Sequence, residues 1–474
     1  MTVTSLDERV GQGEAARGRV PLFGHGVWVA PDGRPDPVVL LGEQNATREA
    51  DLVPVRHGRM LVSPFTFYRG AAKIMAADLA STPTAGLTVQ LCGDAHLSNF
   101  GLFASPERAL VFDLNDFDET LPGPFEYDVK RMAASFMIAA EHNGFSASEA
   151  RDVTVTAVQA YREAMLDFAQ MRTMDIWYAR RSEDDFVAHV EAAARDQKGK
   201  PQKAAARDAA KSVKKGVRKA RTRDSLHALA KLTEVVDGAY RIVSTPPVLI
   251  PARDLELPPG LASPAGGRDF VREQFDAYRT TLQDDRRHLL ERFEIVDIAR
   301  KVVGVGSVGT RAFIALLQGR DQGDPLFLQV KEASASVLEE HLPKSRYRQP
   351  GERVVQGQRL MQAASDIFLG WTTGVQENRY YYWRQLRDMK MSADVEAMGP
   401  LLMTLYAREC GWTLARAHAR SGDPVAMAAY LGADDDFDRA VTAFARDYAD
   451  QNLRDYSTFA DAVRTGRLAA VEGV

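Results

Sequence analysis

Apolar residues spaced three to four apart over "SPFTFYRGAAKIMAADLA" (63–80) predict the first firm helix, with Ser63 as N-cap and Pro64 in the first turn. "GLTVQL" (86–91) reads as a short strand, and "NFGLF", "ASPER" and "ALVFDLNDFDE" (99–119) as strand, turn and strand of a hairpin. The spacing of "FEYDVKRMAASFMIAAEHNG" (125–144), closed by Asn-Gly, predicts a helix. From 147 to 299 the pattern is mostly helical and Ala-rich. It then changes: "RKVVGVGSVGTRAFIALLQG" and "DPLFLQVKEA" are β-rich with glycines between, followed by a helical "ERVVQGQRLMQAAS" and the aromatic run "NRYYYWRQLRDMK". The end of the chain is helical again, and Phe437, Val441, Phe444 and Tyr448 fall on one face of an amphipathic tail. The first residues, rich in Gly, Pro and charge, read as an irregular arm. Five stretches result: 1–50 arm, 51–146, 147–299 helical, 300–390 glycine-rich and β, 391–474 helical.

With 474 residues, the chain is too long for one simple core. A composition of 45% hydrophobic and 26% charged residues is that of a soluble globular protein, and a net charge of −4 argues against a general nucleic-acid or membrane binder. Cys92 and Cys410 cannot build a disulfide framework or a four-ligand zinc site by themselves. The start carries no apolar segment of signal type, and no run reaches the roughly 20 apolar residues of a membrane span, so a cytoplasmic location is expected. One local exception to the charge balance is the stretch 198–223, with eleven Lys or Arg and a single acid, Asp208. Arg207, Lys211, Lys214, Arg218 and Arg221 form a helical stripe, most simply a solvated face.

The chemistry concentrates in "VQLCGDAHLSNFG" (89–101). Asp94 and Asn99 are five apart, the spacing of Asp and Asn in the catalytic loop of protein kinases. Phosphoryl transfer needs those two types: a carboxylate to take the proton of the attacking hydroxyl, and an amide oxygen to bind metal on the phosphates. A second carboxylate ligand is required, because Mg²⁺ takes hard oxygens. "VFDLNDFDE" offers Asp113, Asp116 and Asp118: Asp113 lies at a gap from Asn99 that suits one hairpin, and Asp116 stands in the Asp-Phe of a D-F-G element, and the sequence leaves those two unresolved. Asp and Asn also cap turns, so a lone Gly-Asp would carry nothing; here the offset and the acid cluster together carry the reading.

A kinase also needs a glycine-rich cover and a lysine on a neighbouring strand. Gly304, Gly306 and Gly309, with Ser307, form G-x-G-x-x-G in "GVGSVG", and Lys331 sits in "FLQVKE", shaped like the lysine strand. The helix acid to pair with Lys331 is Glu352, or else Glu339 or Glu340. "RYYYWRQLRDMK" would supply the strand and hinge against which adenine stacks. The rival reading of the same glycines is a dinucleotide-binding Rossmann turn, with Glu332 placed to meet a ribose, which would make the chain an NAD(P)-binding oxidoreductase. Arg69 in "FYRG" could reach a phosphate, although closing a helix face against an acid is the commoner use of such an arginine. His418 reads as packing.

Gly93, Asp94, His96 and Asn99 form G-D-x-H-x-x-N, which resembles the aminoglycoside and choline kinases; Cys92 replaces the His that usually leads their motif. Tyr127-Asp128 before an apolar helix resembles their later element, in which the Asp braces the catalytic loop. The glycine loop and lysine follow the Asp-Asn loop by some 200 residues, the reverse of the usual order, so the fold expected is α+β: a bilobal protein-kinase-like fold with circularly permuted lobes and a large helical portion. "SPFTFYRGAA", "LCGDAHLSNFG", "VFDLNDFDE", "GPFEYDVKRMAAS", "KVVGVGSVGTR" and "GQRLMQAASDIFLGW" together resemble the uncharacterised bacterial family known as domain of unknown function 2252, over about residues 50 to 460. That resemblance implies a soluble, kinase-like bacterial protein. The function expected is an ATP- and Mg²⁺-dependent phosphotransferase, with Asp94 as base, Asn99 with Asp113 or Asp116 on the metal, and Gly304, Gly306, Ser307, Gly309 and Lys331 on the phosphates. Its partners would be the nucleotide and a small hydroxylated molecule or other acceptor. The alternative is a non-catalytic nucleotide-binding regulator, in which the fold survives without the chemistry.

Overall fold

The computed structural model describes residues 4–196, 200–255, 264–302, 304–374, 379–386 and 389–473. It is a mixed α/β structure, 53% helical, with several antiparallel sheets. Its principal core is helical. The helix Glu126–His142 is buried continuously from Glu126 to Ala140, because alanines on every side let neighbours approach. Ala147–Gln170, Pro400–Ala419 and Asp436–Arg464 pack around it, and the first of them also packs on the other two. Phe437, Val441, Phe444 and Tyr448, the face expected on the tail, all lie in this core.

Against the helices stand the sheets that carry the site. Six antiparallel strands run in the order Gly370–Thr373, Tyr380–Gln385, Pro325–Ala333, Ala312–Gln318, Glu294–Lys301, Leu249–Pro251. Leu328 and Val330 of the third strand join an apolar cluster with Trp383 and Tyr278, so alternation sends Gln329 and Lys331 to the opposite face. A second sheet holds the expected hairpin, Phe100–Ala104 paired with Leu110–Leu114, flanked by the short strands Met391–Ser392 and Arg181–Ser182. The two-stranded ribbon Thr88–Leu91 with Leu121–Pro124 brings both acid-bearing loops, 92–99 and 115–120, to one place.

Three expectations need correction. Residues 1–50 are not irregular: Leu6–Arg19 and Pro37–Asn45 are helices, the first with a Ser5–Glu8 capping box. Of its three glycines, Gly13 serves close packing; a Cβ there would lie 2.2 Å from the carbonyl of Ala426 in a neighbouring helix. The stretch 147–299 is not wholly helical either. Thr233–Val236 and Ala239–Ile242 form a hairpin through Asp237 and Gly238, both at positive φ, an Asp-Gly turn of the kind that suits strand twist. The helix expected over 63–80 is capped by Ser63 as anticipated but breaks at Ala71 into Pro64–Gly70 and Ala72–Leu79. The basic stripe lies on the helix Lys200–Arg221, where Lys214 and Arg221 pair with Glu191 and Glu183 of the preceding helix; Lys198 lies outside the described residues.

Candidate active site

The loop 92–99 is held in shape from behind. Asp128, in the first turn of the buried helix, accepts the backbone N–H of Cys92 at 2.7 Å and of Gly93 at 3.0 Å. His418, hydrogen-bonded to Tyr161, approaches the same carboxylate at 3.3 Å. Gly93 has φ +85° and a Cβ there would meet the carbonyl of Glu119 at 2.2 Å, so both backbone angle and space require glycine. Asn99 donates its amide to the carbonyl of Asp94 at 2.6 Å, which fixes the offset between the two residues that the sequence singled out.

Asp94 is gripped on one side only. Arg131 donates from Nε to Oδ1 at 2.8 Å, with Nη2 in ion-pair contact with the same oxygen at 2.7 Å, while Oδ2 faces His96 at 3.7 Å. Burial raises the Asp94 carboxyl above its ordinary range, and Arg131 opposes that rise. The His96 imidazole is held neutral by burial, with Arg69 and Arg131 acting in the same direction.

Of the two candidate metal ligands, Asp113 and Asp116, only Asp116 lies at the cleft. Asp113 is wholly buried, ion-paired with Arg416 and accepting the N–H of Ala363 at 2.8 Å and of Leu114 at 2.9 Å. It is a packing carboxylate that ties the hairpin to the helix Pro400–Ala419 and to the bend just after Pro350–Met361. Asp116 lines the cleft beside Asp94, Asn99, Asp118 and Glu119. The Asp118 carboxylate takes the ammonium of Lys331 on Oδ2 at 2.5 Å and the Tyr382 hydroxyl on Oδ1 at 2.6 Å; Asp116 is 3.8 Å from the same ammonium. Burial pushes the Asp118 carboxyl up, but Lys331 and Tyr382 hold it below the usual carboxylate range. Burial likewise opposes the charge on Lys331, which Asp116 and Asp118 outweigh. The Glu119 carboxylate accepts the backbone N–H of Val337 at 2.7 Å, and burial pushes its carboxyl up to about 7 against the opposing pull of Arg353 and that hydrogen bond.

Lys331 therefore meets Asp118, and not a helix acid. Glu352 lies in the first turn of Pro350–Met361 and takes its structural part through its backbone N–H to Gln349. Glu340 pairs with Lys73, and Glu339 caps Ser336. Asp118 was one acid among several in the sequence; the signal for it was its place two residues after Asp116, which puts both side chains toward one cleft.

The glycine loop joins Glu294–Lys301 to Ala312–Gln318, antiparallel neighbours with Phe313 opposite Arg300. A dinucleotide turn requires a helix after the last glycine, and here a strand follows, so the Rossmann expectation for this segment is corrected. Glu332 is taken up by Arg311 and Arg379. Gly304, Gly306 and Ser307 line the cleft, and the Ser307 hydroxyl lies 3.3 Å from Asp118. The loop is tied from outside: the Glu49 N–H donates to Gly309 O at 2.7 Å, Arg59 to Gly304 O at 2.6 Å, and Arg48 to Val308 O. On the strand side, Tyr382 comes from the aromatic run; Arg387 and Asp388 of its expected hinge lie outside the described residues.

Two cavities open here, of about 150 and about 500 Å³. The smaller contains Asp94, His96, Asn99, Asp118 and Glu119; the larger contains Gln329, Lys331, Gln358, Gln362 and Arg384. Arg69, Asp116, Gly304 and Ser307 line both.

Residues 48–462 match the model of the family described as "Uncharacterized protein conserved in bacteria (DUF2252)", and the chain belongs to that family. No curated protein and no solved structure matches it. Among the described residues no helix is long and apolar enough to cross a membrane.

Proposed function

We propose that this chain is an ATP- and Mg²⁺-dependent phosphotransferase, a cytoplasmic enzyme whose protein-kinase-like lobes occur in permuted order. The observation that carries the reading is the contact of Lys331 with Asp118 and Asp116 beside a glycine hairpin, the two acids in turn lining the smaller cavity with Asp94 and Asn99. The succession of glycine hairpin, lysine strand, helix and two further strands supports it, being the order of parts in a kinase nucleotide-binding lobe.

The donor set fits the metal. Asn99 uses its amide N–H on Asp94 and keeps its oxygen; Asp116 accepts only a 3.3 Å bond from the Asp118 N–H among the described residues. Among those residues no group of three or more His, Cys, Asp and Glu forms a cage. Mg²⁺ suits such a sparse site, because it retains waters and takes phosphate oxygens. When bound, it would neutralise charge on the transferring phosphoryl group. The chain's own residues do the rest. Lys331 and the loop with Ser307 receive the phosphates, Arg131 fixes Oδ1 of Asp94, and Oδ2 accepts the proton of a small hydroxylated acceptor.

A thermal-shift comparison of MgATP against NAD and NADP tests the nucleotide, and Asp94→Asn tests the chemistry. MgATP alone is expected to stabilise the protein. The variant is expected to keep MgATP affinity and to lose turnover by roughly 10²–10⁴-fold. Stabilisation by the dinucleotides alone would overturn the reading. The clamp of Arg131 on Asp94 favours a second reading, a non-catalytic nucleotide binder, which would bind MgATP in the wild type without turning it over.

A further inference from the structure

The acids of the cleft are almost all matched by cations: Asp94 by Arg131, Asp118 by Lys331, and Glu332 by Arg311 and Arg379. Arg69 is the reverse case. Among the described residues it makes no hydrogen bond and no ion pair, and its Nε is buried without a partner. Burial lowers its pKa, and the Asp94 carboxylate opposes that. A guanidinium carries five donors in a planar fork; the Nε donor of Arg69 is withheld from protein and water, which is costly, while the half-buried side chain borders the two cavities with no protein acceptor among the described residues. That fork matches the oxygens of a phosphate.

Its position is fixed by both walls. Arg69 stands in the last turn of Pro64–Gly70, whose neighbouring carbonyl, Tyr68 O, accepts from Arg131, the residue that grips Asp94. On the other side, a Cβ on Gly306 would lie 3.1 Å from the Arg69 carbonyl, so the glycine loop lies directly against it. Arg69 lines both cavities, and the residues it shares that position with are Asp116, Gly304 and Ser307. The boundary between the cavities is thus furnished with one unused cation, one carboxylate, a hydroxyl and a glycine.

We propose that Arg69 binds the phosphoryl group in transit between the two cavities. Its anion-binding part stands on geometry alone; the division of labour between the cavities rests on the phosphotransferase reading. In that division the larger cavity, with Lys331, Gln329 and the apolar Leu326 and Phe368, takes the nucleotide, and the smaller, with Asp94 and His96, takes the acceptor. The acceptor oxygen bonds to the γ-phosphorus and its proton passes to Asp94. The bond to the β–γ bridging oxygen breaks, and its electron pair leaves on ADP. Arg69 faces the non-bridging oxygens of the group that moves.

The test measures binding of MgATP, MgADP and inorganic phosphate to the full chain by calorimetry, in wild type, Arg69→Gln and Arg69→Lys, with unliganded melting as the folding control. Arg69→Gln is expected to weaken MgATP about ten- to a hundredfold and leave MgADP unchanged. Arg69→Lys, with the charge but not the fork, should fall between. Equal MgATP affinity in the wild type and the Gln variant would overturn the role of Arg69 while leaving the nucleotide reading intact, as would equal losses for MgATP and MgADP. Wild-type binding of phosphate that Arg69→Gln abolishes, without any MgATP binding, would uphold Arg69 and remove the nucleotide. Indifference of the wild type to all three ligands would end both.

Discussion

The ammonium of Lys331 lies 2.5 Å from Oδ2 of Asp118, although 213 positions of sequence separate them. Lys331 is 2% exposed on its side chain and Asp118 29%. Arg353 reinforces the junction by donating to the carbonyls of Asp118 at 2.7 Å and Ser334 at 2.9 Å. The contact that lets the six-stranded sheet and the acid loop share a cleft also holds them together.

Replacing Lys331 by Met should therefore cost stability as well as nucleotide binding. It strands two acids whose cation has gone, and a loss of roughly 3 kcal/mol in denaturant unfolding is expected, at the low end for a broken buried pair because Asp118 is partly hydrated. Lys331→Met with Asp118→Asn should show favourable coupling of about 1 kcal/mol or more in a double-mutant cycle. Additive losses would mean that the pair contributes nothing.

Asp128→Ala removes the acceptor of two backbone N–H groups and the neighbour of His418. A loss of about 2–4 kcal/mol is expected, since each stranded donor costs about 1–3. Asp128→Asn, which keeps one acceptor oxygen, should retain more. The ordering of the two by urea unfolding checks this; equal losses would remove the brace.

Gly93→Ala puts a methyl where the Glu119 carbonyl stands and a side chain at φ +85°. Positive φ alone costs about 1–2 kcal/mol. Backbone must move as well, so a total above about 3 kcal/mol is expected. Gly144→Ala, also at positive φ but with nothing within 4 Å, is the control and should lose only the first part. Similar melting temperatures for the two variants would refute the packing account.

Glu119 supplies a pH test. Its folded carboxyl is pushed up to about 7, above an ordinary 4.5, so the folded state binds its proton more tightly than the unfolded state does. The stability this confers is complete below about pH 4.5 and is lost as pH rises through about 7. Over that window the wild type should lose on the order of 2–3 kcal/mol of stability relative to Glu119→Gln, which has no carboxyl to ionise. Comparing the two proteins cancels the buried histidines His25, His57 and His96, whose lowered pKa values act in the opposite sense. A difference independent of pH would show that Glu119 is well solvated.

What the sequence made legible was local. Ser63 and Pro64 announced their helix start, the hairpin 99–119 stood out between its turn residues, and the five-residue offset of Asp94 and Asn99 corresponds to a hydrogen bond between them. The choice between Asp113 and Asp116 was not legible, because Arg416, 303 positions away, decides it. The partner of Lys331 was missed for the same reason: a helix acid was sought, while the nearest carboxylate arrives on a loop from the other end of the chain. Glycines misled in the first 50 residues, where Gly13 marks a close helix contact and not a break. The Asp237-Gly238 turn was readable and was hidden by the helical sequence around it.

The glycine hairpin is stapled to the rest of the chain through its own carbonyls, those of Gly304, Val308 and Gly309, by Arg59, Arg48 and the Glu49 amide. Main-chain acceptors cannot be mutated away, so the stiffness of this flap is written outside it, in residues 48–59. If the proposed phosphotransferase reading holds, a molecule that had to lift the flap would first have to unfasten that collar, which would tie turnover to the docking of residues 48–59.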